Sequence, residues 1–520
     1  MIATSIAKKT AFFIFLCASH FFSCYAKDSS RKIQTLYSAM DPFSIPQHLA
    51  MYTLYPDAEE GKKSLKHAYF LISGEKNVSI PKLDSVFLKN KIPSNFANLL
   101  MIFHQKEGTY LNEEELSIIE DCGKNLGNRK LKGYGITNEE SVFHLLPEEI
   151  DLSRALLLSV LGNDSTAMQR IRQYEALLDI ISLQILSYTS RTNDARSKIQ
   201  SINEFIFHKM RFRFPPESSY ANAIDFYTFL PSVLESRKGV CLGVSALYLC
   251  LAQRLSLSLE AVAPPGHIYL RYREKGKEIN IETTSRGVNI PSENYLGINT
   301  KELQTRNLKE VVGLIFFNQA SLHWQKLQYK KAIEAYRKAL LYIPNDPLIL
   351  EFLAYSYLAD EKEKKSKEIL KSISSYKSPY LVKKSSIIED LLNQETNSEG
   401  IQAIFLHVDE KRESIIAKKE LLLSILERFP KFREGIFHLA IAWLQLNRYG
   451  EALEVLNKYH EIDSENPTVE YYLSVLSKER FNYEKAWKHY RQAKTLTEKE
   501  SHHPLALKDL YRELRILSPN

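Results

Sequence analysis

Cysteine is scarce in this chain, with five in 520 residues. No two form a CxxC pair or stand with histidines at metal-ligand spacing, so neither a metal site nor a cofactor is expected. Cys17 and Cys24 fall in the first 26 residues, which leaves Cys122, Cys241 and Cys250 beyond them. An odd number of thiols in an oxidising compartment leaves at least one that is either buried and inert or kept reactive. Long apolar runs are also missing after that first stretch, because no later segment has 18 or more consecutive apolar residues, so no membrane span is expected in the body of the chain. A large excess of one charge is absent too. The formal net charge is +7 with 25% charged residues, and scattered lysines read as solvated helix faces, so nucleic acid is not an expected partner.

What is present begins with MIATSIAKKTAFFIFLCASHFFSCYA, where Lys8 and Lys9 precede an apolar run and small residues follow near Ala26. This is the pattern of a secretory signal over residues 1–26 and predicts an exported protein, in periplasm, envelope or medium. Phe21-Phe22-Ser23-Cys24 also loosely follows a lipid-attachment pattern, so membrane association is expected only through a lipid on Cys24. With 44% hydrophobic residues, the rest is long enough for two to four domains. Residues 27–144 give amphipathic helical signals, with short apolar runs such as Leu99 to Phe103, and no chemistry that can be named. From Ile150 to Ser187 the helical periodicity is dense, with Asn163-Asp164-Ser165 as a turn and cap, and another helix runs from Lys198 to Met210. An aromatic and proline-rich stretch, FRFPPESSYANAIDFYTFLP, then reads as an ordered loop that walls a site.

Beyond residue 310 a 34-residue period emerges. Ala320, Tyr329, Ala332, Tyr336, Ala339 and Pro344 take the small, aromatic and proline places of a tetratricopeptide (TPR) unit. Ala440, Tyr449, Ala452 and Leu456 repeat the pattern, and Ser474, Tyr483, Ala486, Tyr490 and Ala493 repeat it again. Weaker units fit Leu353 to Leu370 and Ile415 to Pro430, with a loop expected at Asn393 to Glu399. Small residues let paired helices approach and aromatics fill the gaps, so residues 310–515 are expected to form an all-α TPR solenoid that binds a protein or peptide partner.

The chemistry lies in residues 236–287. Lys238-Gly239 ends a loop and Cys241 opens an apolar helix running to Arg254, which puts its thiol at the positive end of the helix dipole, a place that favours the nucleophilic thiolate. Cys250, nine residues on, faces the opposite side and reads as core. EAVAPPGHIYLRY then reads as one strand and KEINIETT as another, joined at Glu274-Lys275-Gly276, so that His267 and Glu282 can stand as neighbours facing Cys241. Taken singly these residues have bland readings: a small buried cysteine, a turn histidine, a solvent-facing glutamate. Their order and placement together read as nucleophile, base and orienter. An oxyanion hole would use the Cys241 N–H and a second donor from the aromatic loop, Asn222 or Tyr227.

A helix-opening Cys, then Pro-Gly-His, then an Asn-Ile-Glu-Thr strand resembles the bacterial SirB-type branch of the transglutaminase-like superfamily. The upstream helices IDLSRALLLSVL and INEFIFHKMRF extend the likeness over residues 145–300. The resemblance implies an α+β papain/transglutaminase-like core over residues 145–305, between a helical N-terminal region and the TPR array, in a predominantly helical chain. It also implies Cys241 as nucleophile, His267 as general base and then acid, and Glu282 as orienter. Glu282 departs from the superfamily's usual aspartate by one methylene. Some relatives lack the cysteine altogether, which leaves two functions open: a thiol amide hydrolase or acyl transferase (protease, deamidase or cross-linking enzyme), or a non-enzymatic TPR scaffold. A third reading joins them, with the array delivering substrates to the thiol.

Overall fold

The computed structural model describes residues 30–73, 111–189, 194–215, 227–274, 276–409 and 411–518. The N-terminal signal with Cys17 and Cys24, the run Leu99–Phe103, and Asn222 with most of the aromatic loop lie outside the described residues. Among the described residues no helix is long and apolar enough to cross a membrane. Among the described residues the fold is predominantly helical with one small antiparallel sheet, and the chain forms two compact units, each assembled from separated stretches of sequence.

The smaller unit comprises residues up to Arg129, then 169–205 and 254–257. Its helices Ile45–Leu54 and Glu59–Ser73 bury Ile45, Leu49, Tyr52, Leu65 and Ala68 against Leu126 and Leu183. The chain enters the first helix through Ser44, whose hydroxyl accepts from the Gln47 N–H, with Pro46 in the first turn where its missing N–H costs nothing. In the same unit Asp179 is fully buried and bonded by Arg129 and by Arg254, the latter at 2.8 Å. Cys122 also belongs here, and burial pushes its thiol up to about 11, the behaviour of an inert cysteine.

The larger unit takes residues 130–168, 206–253 and 258–520 and holds everything that bears on the thiol. After a short helix, Glu139–Phe143, its helix α1 (Leu152–Leu161) is capped by the Asp151 carboxylate and ends at Gly162, and Asp164 accepts from the Ala167 N–H as the next helix starts. Helices α2 (Leu230–Ser236) and α3 (Cys241–Arg254) follow. From Leu242 to Ala252 every residue of α3 is buried, as expected of a helix that is apolar all round, and Cys241 alone in its first turn reaches the surface. Cys250 lies fully buried within it.

The sheet has order β3-β2-β1-β4, with β1 (Glu260–Ala263), β2 (Tyr269–Glu274), β3 (Lys277–Ile281) and β4 (Gln304–Arg306), all neighbours antiparallel. The stretch EAVAPPGHIYLRY, expected as one strand, is two. Pro264-Pro265-Gly266-His267 forms a tight turn closed by the His267 N–H donating to the Pro264 carbonyl at 3.0 Å, with Gly266 at φ 72°. Proline in the second place and a positive-φ glycine in the third are what a type II turn demands, so the chain reverses where the sequence reads as running straight. The β2–β3 reversal does fall at the expected Glu274–Gly276.

Behind β4 come α4 (Leu308–Gln325), α5 (Tyr329–Tyr342), α6 (Pro347–Ala359) and α7 (Glu363–Ile373), then the short α8 (Ile387–Leu392) and α9 (Ser398–Phe405). The series closes with α10 (Arg412–Arg428), α11 (Arg433–Gln445), α12 (Tyr449–Ile462), α13 (Pro467–Glu479), α14 (Tyr483–Glu498) and α15 (Leu505–Leu517). The sequence period is kept in space: α11 and α13 begin 34 residues apart, as do α12 and α14. Ala320, Ala332, Ala339, Ala440, Ala452, Ala486 and Ala493 are all fully buried, where only a small side chain lets paired helices approach.

Candidate functional site

His267 stands beside both of the other two predicted residues. Its Nε2 lies 2.7 Å from Glu282 Oε2, and the Cys241 side chain stands close enough to act on the charge of its ring. The three residues come together because of how the elements are built. The β2–β3 register, carried one residue past Leu270↔Ile281, sets Glu282 across from Tyr269. His267 stands two residues before Tyr269, where the chain leaves the turn and enters β2. Helix α3 delivers Cys241 to the same place, and its Ser245 hydroxyl shares a 3.0 Å hydrogen bond with Thr283, next to Glu282 in the chain.

Neither His267 nor Glu282 lies within a strand, contrary to expectation. His267 closes the type II turn. Glu282 follows β3 and opens a short 3-10 turn, Thr283–Ser285, where its carboxylate accepts from the Thr284 N–H at 3.1 Å and the Thr284 hydroxyl at 2.6 Å. That turn absorbs the extra methylene, because Oε1 caps the turn while Oε2 reaches the imidazole.

Sequence reasoning missed Tyr295. Its hydroxyl donates to Glu282 Oε2 at 2.6 Å, and its ring stacks on His267 with centroids 5.8 Å apart and on Tyr269 at 4.5 Å. It sits in the 3-10 turn Ser292–Tyr295. Asn280 holds the nearby chain by donating to the Ile290 carbonyl at 2.7 Å and the Ser292 hydroxyl at 3.0 Å. No motif marks Tyr295; only its closeness in sequence to the Asn-Ile-Glu-Thr strand could have pointed to it.

These contacts set the charges. The Cys241 side chain, and then the hydrogen bond to Glu282, push the His267 imidazole up to about 10 against the opposing effect of burial. For Glu282 burial is the largest influence and opposes ionisation, yet the bonds from His267, Thr284 and Tyr295 together outweigh it and hold the carboxyl down at about 2. An imidazole held by a carboxylate beside a cysteine is an arrangement that thiol acyl-transfer chemistry uses.

Of the two expected oxyanion donors, Asn222 lies outside the described residues. The Tyr227 carbonyl accepts from the Val240 N–H at 3.1 Å and lies against Gly243, where an added Cβ would come within 2.3 Å of that oxygen. Gly243 is thus what lets the Tyr227 segment close over the first turn of α3, whose opening amides have no acceptor within the helix.

The thiol opens into a cavity of about 560 Å³ whose lining is mostly apolar. Cys241, His267 and the Pro264–Gly266 turn form one end, while Phe317 of α4, Leu348 and Phe352 of α6, and Phe405 of α9 line the rest.

Residues 172–311 match the family model described as the transglutaminase-like superfamily. No curated protein matches the chain. Among solved structures the chain is similar to MamA, at 15% identity over 35% of this chain and 96% of that one, with a TM-score of 0.20. It is also similar to a thermophilic TPR protein of Thermus thermophilus, at 14% identity over 39% of this chain and 99% of that one, with a TM-score of 0.22. The Cys241, His267 and Glu282 cluster falls inside the matched stretch, and the chain carries a transglutaminase-like domain followed by TPR-like helical repeats.

Proposed function

We propose that this protein is a cysteine-dependent amide hydrolase or acyl transferase whose helical array presents protein substrates to the thiol. The observation that carries the reading is the imidazole of His267 bonded to Glu282 and lining, together with Cys241, one end of the same cavity. The Cys241 thiol proton passes to His267 as Sγ attacks an amide carbonyl carbon, and His267 then gives that proton to the departing nitrogen. The resulting thioester is resolved by water or by an amine, with His267 taking the proton back. Glu282 stays ionised throughout and fixes the ring, as a triad's third member does. Supporting substrate delivery, the cavity that begins at the thiol is walled by array helices, and its apolar lining suits an extended protein segment. The N-terminal pattern supports export, with lipid attachment at Cys24 as a variant of it.

The test is alkylation of Cys241 by iodoacetamide at neutral pH, followed by mass spectrometry, alongside ammonia release, peptide cleavage and amine incorporation on unfolded casein. Rapid alkylation that slows at least tenfold in His267→Ala, with casein turnover lost in Cys241→Ala, supports the enzyme. If Cys241 reacts no faster than in His267→Ala and casein is untouched, the protein is a scaffold and the thiol a relic of its fold.

A further inference from the structure

Among the described residues, one group of His, Cys, Asp and Glu side chains converges closely enough to ligate a metal, and it lies far along the helical array from the thiol in sequence. Glu470 of α13 has no solvent exposure. One of its oxygens lies 2.5 Å from His460 Nδ1 of α12 and the other 2.8 Å from His489 Nδ1 of α14. The two imidazoles stand edge to face, with centroids 5.3 Å apart. Three consecutive helices thus each send one donor to a single point.

The repeat itself shows how unusual this is. In the preceding unit the positions 34 residues earlier are Leu426, Ile436 and Val455, where Ile436 belongs to a hydrophobic cluster and Leu426 and Val455 pack against it. The ordinary occupant of this place is hydrocarbon. Replacing it with a carboxylate is costly unless a countercharge is present. A divalent cation supplies that countercharge and uses all three donors.

We propose that His460, Glu470 and His489 form a Zn²⁺ site that ties together the last units of the array. Two imidazole nitrogens and one carboxylate are a borderline donor set suited to Zn²⁺ rather than to Mg²⁺ or Ca²⁺. The candidate ligand atoms lie within 4.8 Å of one another. A tetrahedral ion with bonds of about 2.0–2.1 Å separates its ligands by roughly 3.3 Å, so side-chain rotation suffices, with each ring proton moved to Nε2. His460 is partly exposed, its side chain about a quarter accessible, and provides the way in. Three protein ligands leave a fourth position for water or a group from a partner. The site escaped the sequence reading because its members are spread over three helices with no short motif.

The experiment titrates the full chain, stripped with EDTA and dialysed, with zinc sulfate, reading stoichiometry by elemental analysis and affinity by calorimetry. One Zn²⁺ per chain is expected in the wild type and equally in Cys241→Ser, which separates this site from the thiol. The triple variant His460→Leu, Glu470→Ile, His489→Val installs the trio of the preceding unit. It is expected to fold, to lose zinc affinity by at least a hundredfold, and to lose the zinc-dependent rise in Tm. Should that variant not fold, His489→Gln is read the same way. A wild type that takes up no stoichiometric zinc, or zinc binding that survives in the folded variant or is abolished by Cys241→Ser, overturns the assignment.

Discussion

The third member of the cluster shows what a single side chain can be made to do. Glu282 divides its two oxygens, one capping a turn and one facing His267, and Tyr295 donates to the second. Removing only that hydroxyl, in Tyr295→Phe, is expected to cost about 1.5–3 kcal/mol, the range for a hydrogen bond to a charged group, in denaturant titration. It should also slow Cys241 alkylation, while Tyr269→Phe leaves the rate unchanged. The pH dependence follows from the same contacts. His267 is raised from 6.5 to about 10, so its contribution to stability is complete below pH 6.5 and is lost as pH rises through 10. Glu282 is lowered from 4.5 to about 2, so its contribution is present above pH 4.5 and is lost as pH falls through 2. The stability gap between wild type and His267→Gln should therefore be widest between pH 4.5 and 6.5 and shrink steadily towards pH 10. A gap that does not vary with pH would show that the imidazolium contributes nothing. At this scale the nearness of Cys241, His267 and Glu282 was legible from a helix opening followed by a hairpin, whereas the turns that hold His267 and Glu282 were not. Tyr295 was not, because a stacking tyrosine in a 3-10 turn leaves no periodic signature.

The elements were legible where one physical signal dominates. Helix α3 begins at Cys241 and ends at Arg254 as read, since a mostly apolar run of that length favours a buried helix over a strand. The β2–β3 hairpin was legible too, from its glycine turn. The split between β1 and β2 was not, because apolar alternation continues on both sides of Pro264–His267 and the run reads as a single strand. That turn matters more than a strand would, since it aims His267. Gly266 sits at φ 72° in open space, so a methyl there meets no neighbour and the whole cost of Gly266→Ala is conformational. About 1–2 kcal/mol of destabilisation is expected. Because the turn can relax by tilting His267, alkylation of Cys241 should fall disproportionately to the loss of stability. If reactivity and stability fall in parallel across Gly266→Ala and a surface control such as Gly162→Ala, the turn does not aim the imidazole.

Across the larger unit, the repeats are physically continuous with the domain that carries the thiol. After Tyr295 the chain crosses to the array rather than ending beside it. The Asn299 carbonyl accepts from the Val382 N–H at 2.8 Å, the Lys301 N–H donates to the Tyr380 carbonyl at 2.9 Å, and Ile298 is buried among Trp487, Tyr490 and Leu507. Residues 298–301 are thus packed and hydrogen-bonded against the array. A buried ion pair joins Arg306, which ends β4, to Asp346, which caps α6. They meet at 2.8 Å with both side chains about 6% exposed. A buried pair of this kind is costly to break from one side and cheap to replace whole. Arg306→Met alone is expected to cost about 3–5 kcal/mol in denaturant unfolding. Asp346→Asn keeps an acceptor for the Leu348 and Ile349 amides but strands the guanidinium, and should cost a similar amount. The double variant should recover much of either loss, a positive coupling in the cycle. Since the same two residues line the cavity that leads to Cys241, the single variants should also split a cooperative unfolding curve into two steps. Additive losses with one unchanged transition would show instead that array and thiol domain are held together by their apolar contacts alone.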